Sequence, residues 1–156
     1  MSESAGKYPF DGFLVREYRD DDWPQVECLW LETGLGTPER SDNDKTIKKT
    51  LRLGGKLFIL EGKDTGAIVG TAWVTFDGRR LRLHHMGVLP EFQGNGLSHV
   101  LMKKCLEFAR EMQTQIKLEV HQTNKIARNL YKKWGFKYLG DYDVFIIRDT
   151  ADLDNS

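Results

Sequence analysis

Two apolar periods run along this chain, and the points where one gives way to the other mark its elements. Residues 13–17 read as a strand. Asp20, Asp21 and Asp22 then precede Trp23 and Pro24, placing carboxylates at a helix N-terminus and proline in its first turn, so a helix is expected to about Leu31. Gly34, Gly36 and Pro38 break it. Ser41 is placed to cap a second, basic helix through Lys45, Ile47, Lys48 and Leu51, ended by Gly54 and Gly55. Residues 57–61, a turn over 62–66 and the run 67–76 read as a hairpin, and Asp77 and Gly78 turn the chain into a further strand over 81–88. From Leu97 the period lengthens: Leu97, Val100, Leu101, Cys105, Phe108, Ala109 and Met112 share one helical face. Ile116, Leu118 and Val120 return to alternation. Ile126, Ala127, Leu130 and Trp134 mark a last helix stopped by Gly135, and residues 136–139 and 142–147 read as strands completing the sheet. The expected fold class is α/β: a mixed, mostly antiparallel central sheet with helices on both faces.

Composition narrows this to one domain. The chain has 156 residues and 40% hydrophobic content, enough for a single core, with only residues 1–12 and 149–156 expected to be loose. Lys and Arg total 23 and so do Asp and Glu, so no field over the whole surface attracts polyanions, which argues against duplex nucleic acid as a partner. The longest apolar runs, 57–60 and 144–147, fall far short of the roughly 20 residues of a membrane span. The opening residues carry neither a basic n-region nor an apolar h-region, so the expected address is cytoplasmic. Cys28 and Cys105 have no CxxC spacing or neighbouring ligand. They are expected to be small buried thiols, and no metal site is expected.

The informative stretch is Leu83 to Cys105: a strand, a break at Pro90, a short loop with Gly94 and Gly96, and an immediate amphipathic helix. Free N–H groups at the first turn, the helix dipole and glycines that clear the approach together suit a pyrophosphate. Neither the GxxxxGK[ST] of a Walker loop nor an early GxGxxG is present. The loop instead reads Gln93, Gly94, Asn95, Gly96, Leu97, Ser98. A second cluster follows at Asn124, Ala127, Leu130, Tyr131, Gly135 and Phe136.

Together these clusters resemble the GNAT superfamily of N-acetyltransferases, whose [QR]-x-x-G-x-[GA] loop holds the pyrophosphate of acetyl coenzyme A. A later N-x-x-A-x-x-L-Y-x-x-x-G-F segment of that family serves the pantetheine and thiol end. The match covers nearly the whole chain, with Ser98 standing where the family usually has Gly or Ala. The resemblance implies acetyl-CoA as donor cosubstrate, bound by Met86, Val88, Gln93, Gly94, Asn95, Gly96, Leu97, Ser98, Asn124 and Tyr131. It implies a bulge in the strand holding Met86, Gly87 and Val88, with the Val88 N–H polarising the thioester carbonyl. It also implies a splay between that strand and residues 117–121 for pantetheine. Tyr131 is then the proton donor to the departing thiolate.

A primary amine of pKa about 10.4 must lose a proton before it attacks, and the resemblance to relatives with a similar Leu-Glu-Val strand implies Glu119, on the polar side of its strand, as the base, directly or through water. His84, His85 or a water chain is the alternative, and His121, like the two strand histidines, reads first as an ordinary sheet histidine. A regular strand would point His84 and His85 to opposite faces, so that only one reaches the cleft. The expected reaction is acetyl transfer to a primary amine of a small molecule or a protein by direct attack in a ternary complex. A non-catalytic acyl-CoA-binding module on the same fold is the rival reading. Nucleic-acid binding by Lys45, Lys48, Lys49 and Arg52 is weaker, because a basic helix face is usually just solvated. No membrane partner is expected, and a homodimer is left open.

Overall fold

The computed structural model describes residues 10–153, which fall into two compact units divided between residues 121 and 122. The first unit runs β1 (Phe13–Glu17), α1 (Trp23–Thr33), α2 (Asp44–Arg52), β2 (Lys56–Gly62), β3 (Ile68–Phe76), β4 (Leu81–Val88), α3 (Leu97–Met112) and β5 (Ile116–Leu118). The sheet order is β1-β2-β3-β4-β5, antiparallel through β4 and parallel between β4 and β5. Short turns join β2 to β3 and β3 to β4, α1 and α2 connect β1 to β2, and the parallel return to β5 needs the α3 crossover.

Strand alternation sorts the core into two layers. Leu57, Ile59 and Trp73 pack with Val26, Leu29 and Trp30 of α1 and with Ile47 of α2. The opposite face packs on α3, where the Phe58 and Phe108 rings meet edge-on at 6.2 Å and Leu101 and Cys105 are fully buried. Gly70 is needed there: a Cβ on it would lie 3.0 Å from the Gly87 carbonyl oxygen and 3.2 Å from Leu101 Cδ1. Arg16 ties the N-terminal elements together, forking onto both Asp22 oxygens at 2.8 and 2.9 Å while contacting Glu61 at 2.8 Å.

Three local expectations change. Ser41 does not cap α2; it sits at φ +62, and Asn43 is the cap, its side chain accepting from Thr46 N–H at 2.8 Å. An N-cap needs extended backbone, which Asn43 has at φ −142 and Ser41 lacks. Cys28 is exposed, because Val26, Leu29 and Trp30 occupy the inward face of α1; Cys105 is buried as expected, and burial pushes its thiol up to about 12. The fifth strand ends at Leu118, short of Val120.

The second unit holds α4 (Lys125–Lys133), with Asn124 as N-cap accepting from Ala127 N–H at 3.2 Å and Gly135 at φ +98 just past its end. Residues 136–139 and 142–147 are not strands. Their side chains at Tyr138, Tyr142, Val144, Phe145, Ile146 and Ile147 are exposed. An alternating apolar pattern supplies only the capacity for pairing, since β-propensity reflects fit to a neighbouring pleated surface.

Candidate active site

A bulge in β4 organises the site. Trp73 pairs with His84 and Thr71 with Gly87, so Ala72 alone faces His85 and Met86. One extra residue here forces the chain to kink, and His85 takes the kink at φ +48. The Thr71 hydroxyl donates to the His85 carbonyl at 2.8 Å and accepts from Trp30 Nε1 at 2.9 Å, pinning the bulge to the core. The kink cancels strand alternation, and both His84 and His85 line one cleft. The expectation that only one would reach it fails for this reason.

That cleft, about 240 Å³, is lined by Leu35, Arg40, Arg82, Leu83, His84, His85 and Glu119. His84 Nε2 lies 2.9 Å from Thr75 Oγ1. Burial pushes the His84 imidazole down to about 4, with the charges of His85 and Arg82 acting in the same direction, so the ring is neutral at pH 7. Burial also lowers His85, against the opposing pull of Asp42. His85 Nε2 lies 2.9 Å from Asp42 Oδ1 but out of line for a directed hydrogen bond, making this a close electrostatic contact. A Cβ on Gly36 would sit 2.8 Å from that nitrogen and 2.9 Å from Asp42 Oδ2, so only glycine leaves room for the pair. Glu119 stands just beyond the end of β5 and accepts from Arg82 at 3.2 Å.

On the donor side, β4 and β5 pair only from Leu81–Ile116 to Leu83–Leu118. From His84 to Val88, no strand among the described residues covers that edge of β4. Leu89 N–H bonds to Val69 O at 2.8 Å, which makes the Val88–Gly70 pair the non-hydrogen-bonded one. The Val88 N–H and C=O therefore turn away from β3 toward the open edge. Gln93 reaches back from the loop to that carbonyl, donating from Nε2 at 2.8 Å, and Asn95 Nδ2 donates to the Gln93 carbonyl at 3.1 Å.

The loop then enters α3 through Gly94 at φ +81 and Gly96 at φ +76. Gly96 is the N-cap and provides no side-chain cap, so the leading N–H groups at Leu97 and Ser98 have no intrahelical partner. A Cβ on Gly94 would meet nothing within 4 Å, leaving the backbone open to approach. An extended chain hydrogen-bonding along the open edge and ending in a diphosphate at the helix N-terminus suits these groups.

Met86, Val88, the 93–98 loop and Glu119 thus share the first unit, whereas Asn124 and Tyr131 lie in the second. There the Tyr131 ring lies 5.8 Å from Phe136 and 6.0 Å from Trp134. His121 is exposed. Arg40, Asp42 and Arg82 were not singled out by the sequence. Arg40 and Asp42 reach the histidines from a loop that no periodicity links to β4, while the alternation of β4 did hold a signal for Arg82, which shares a face with His84.

A model of the acetyltransferase (GNAT) family matches residues 15–136. An acetyltransferase from Streptococcus agalactiae 2603 is similar in structure at TM-score 0.72 and 22% identity, over 88% of this chain and 92% of that one. A GNAT family acetyltransferase from Elizabethkingia anophelis with acetyl-CoA bound aligns at TM-score 0.62 and 17% identity, over 81% and 77% of the two chains. Glucosamine-6-phosphate N-acetyltransferase from Arabidopsis thaliana aligns at TM-score 0.66 and 16% identity, over 86% and 96%.

Proposed function

Since the chain belongs to the GNAT acetyltransferase family, with acetyl-CoA as its acetyl donor, we propose that it acetylates a primary amine of a small molecule or a protein by direct attack in a ternary complex. The observation that carries this is the continuity of the open β4 edge with the uncapped N-terminus of α3. Val88 N–H donates to the thioester carbonyl and stabilises the oxygen as negative charge develops on it. Met86 and Val88 bind the pantetheine arm along the same edge. The amides of the Gly94–Ser98 loop hold the diphosphate, with Gln93 and Asn95 keeping the loop in shape. Asn124 bonds the pantetheine and Tyr131 gives a proton to the departing thiolate. Glu119 takes the ammonium proton, directly or through water, and Arg82 keeps the carboxylate turned to the cleft.

Binding is tested by thermal unfolding with coenzyme A. A ligand held by the native state alone stabilises it by about 2.7 kcal/mol at a hundredfold excess over Kd. Gly96→Asp places a carboxylate where the diphosphate lies and should lose most of the shift. Gly96→Asn tolerates the left-handed backbone without the charge and should keep more of it. An undiminished shift in a folded Gly96→Asp variant overturns the loop assignment. Steady-state kinetics with acetyl-CoA and amine should give intersecting lines, and parallel lines would indicate a covalent acyl-enzyme and overturn direct attack.

A further inference from the structure

The sheet face leading away from His84 and Glu119 carries an excess of cations. Register places Thr75, Arg82 and Lys117 side by side across β3, β4 and β5, one row beyond Trp73 and His84. This row lines a second cleft of about 440 Å³ together with Phe76, Asp77, Arg79, Arg80 and Leu81. Arg82 belongs to both clefts. Like charges directly opposite on neighbouring strands repel, yet Arg82 and Lys117 are paired. Glu119 answers Arg82 alone, and Lys117, Arg79, Arg80 and Arg40 make no ion pair among the described residues. Asp77, the one carboxylate lining the larger cleft, is held by the backbone N–H groups of Arg79 and Arg80 at 2.8 and 2.7 Å. In a chain of zero net charge, this local excess is an electrostatic feature of the site.

Resting on the acetyl-transfer reading, we propose that the acceptor is a small primary amine bearing a carboxylate or a phosphate, its anion seated on Arg82, Lys117 and Arg80 while its amine faces Glu119 and His84. Adjacent same-face rows of a strand are about 7 Å apart, so a short aliphatic linker spans amine and anion. The charge layout fits both ends: a carboxylate receives the ammonium, the neutral His84 leaves it unopposed, and the unpaired Lys117 and Arg80 join Arg82 to receive the anion.

The test compares kcat/KM for aminohexanoate, aminohexyl phosphate and the neutral aminohexanamide. Wild type should favour at least one anion over the amide by about tenfold or more, the worth of one charge-assisted hydrogen bond, and the faster anion identifies the group. Added salt should shrink that preference. Arg80→Met should bring the ratio several-fold nearer to one with the amide rate and the coenzyme A shift unchanged, and Lys117→Glu should favour the amide. Equal rates for all three amines, or a ratio unmoved in both Lys117→Met and Arg80→Met, overturn this proposal alone. Failure to acetylate any amine while coenzyme A still binds overturns the acetyl-transfer reading and this proposal with it.

Discussion

His85 holds a left-handed backbone at a cost of roughly 1–2 kcal/mol for a residue with a Cβ, and its surroundings offset that cost. Thr71 bonds its carbonyl, and its ring sits edge-on to Trp30 at 4.6 Å and to Trp73 at 5.3 Å. A kink fixed this firmly keeps the Val88 amide aimed at the open edge before any substrate arrives. Two substitutions test the proton traffic around that amide. Glu119→Gln keeps the shape but accepts no proton, so its defect in kcat/KM should fade between about pH 6 and about pH 9.5, as more acceptor amine arrives already neutral. Tyr131→Phe should keep coenzyme A binding and lose about 10²-fold or more in kcat, with no such recovery at high pH. A constant Glu119→Gln ratio across the range, or wild-type turnover in Tyr131→Phe, would remove the role concerned. The sequence made Glu119, Gln93 and the two glycines legible, because each belongs to a local pattern. Asp42 and Arg40 were not legible: they meet His85 and its cleft only through tertiary folding, and the bulge that brings both histidines together defeats strand alternation.

Among the elements, α3 follows its apolar period closely, burying Leu97, Leu101, Cys105, Phe108 and Ala109 along one face, whereas β3 is buried on both faces and β4 keeps alternation only up to its bulge. At the entry to α2, Ser41 and Asn43 are both good cap residues by type and only backbone conformation separates them. Asn43→Ala should therefore cost about 1 kcal/mol in chemical denaturation, by freeing Thr46 N–H. Ser41→Gly should be neutral or stabilising by a few tenths of a kcal/mol, since glycine relieves the positive φ but gains entropy in the unfolded chain. A larger loss at Ser41 than at Asn43 would reverse the assignment. The shortened β5 and the unpaired run 142–147 show the limit of pattern reading: alternation specifies which face would be buried, and a partner strand must still be supplied.

For the molecule as a whole, the partly buried histidines make stability depend on pH in a fixed direction. In the unfolded chain His84 titrates near 6.5, whereas in the folded protein burial holds it at about 4. Between those values the unfolded state binds a proton that the native state refuses, so stability falls as pH drops from about 6.5 to about 4. Above that window both states are neutral at this site and the contribution is flat. His85 is also lowered and adds loss of the same sign. Asp22 and Asp44 are lowered from 3.8 by their bonds to Arg16 and Tyr18, so the stability they contribute persists through this window and is lost only at lower pH. Urea unfolding followed by tryptophan fluorescence, with Trp30 and Trp73 packed against these rings, should show a loss on the order of 2 kcal/mol between pH 7 and about pH 4.5. His84→Gln cannot titrate and should remove the larger part of that slope, leaving the part due to His85. A wild-type stability that is level from pH 7 to about 4.5 would mean that the cleft admits water and protons far more freely than its burial implies, and an equally steep loss in His84→Gln would assign the slope to other groups.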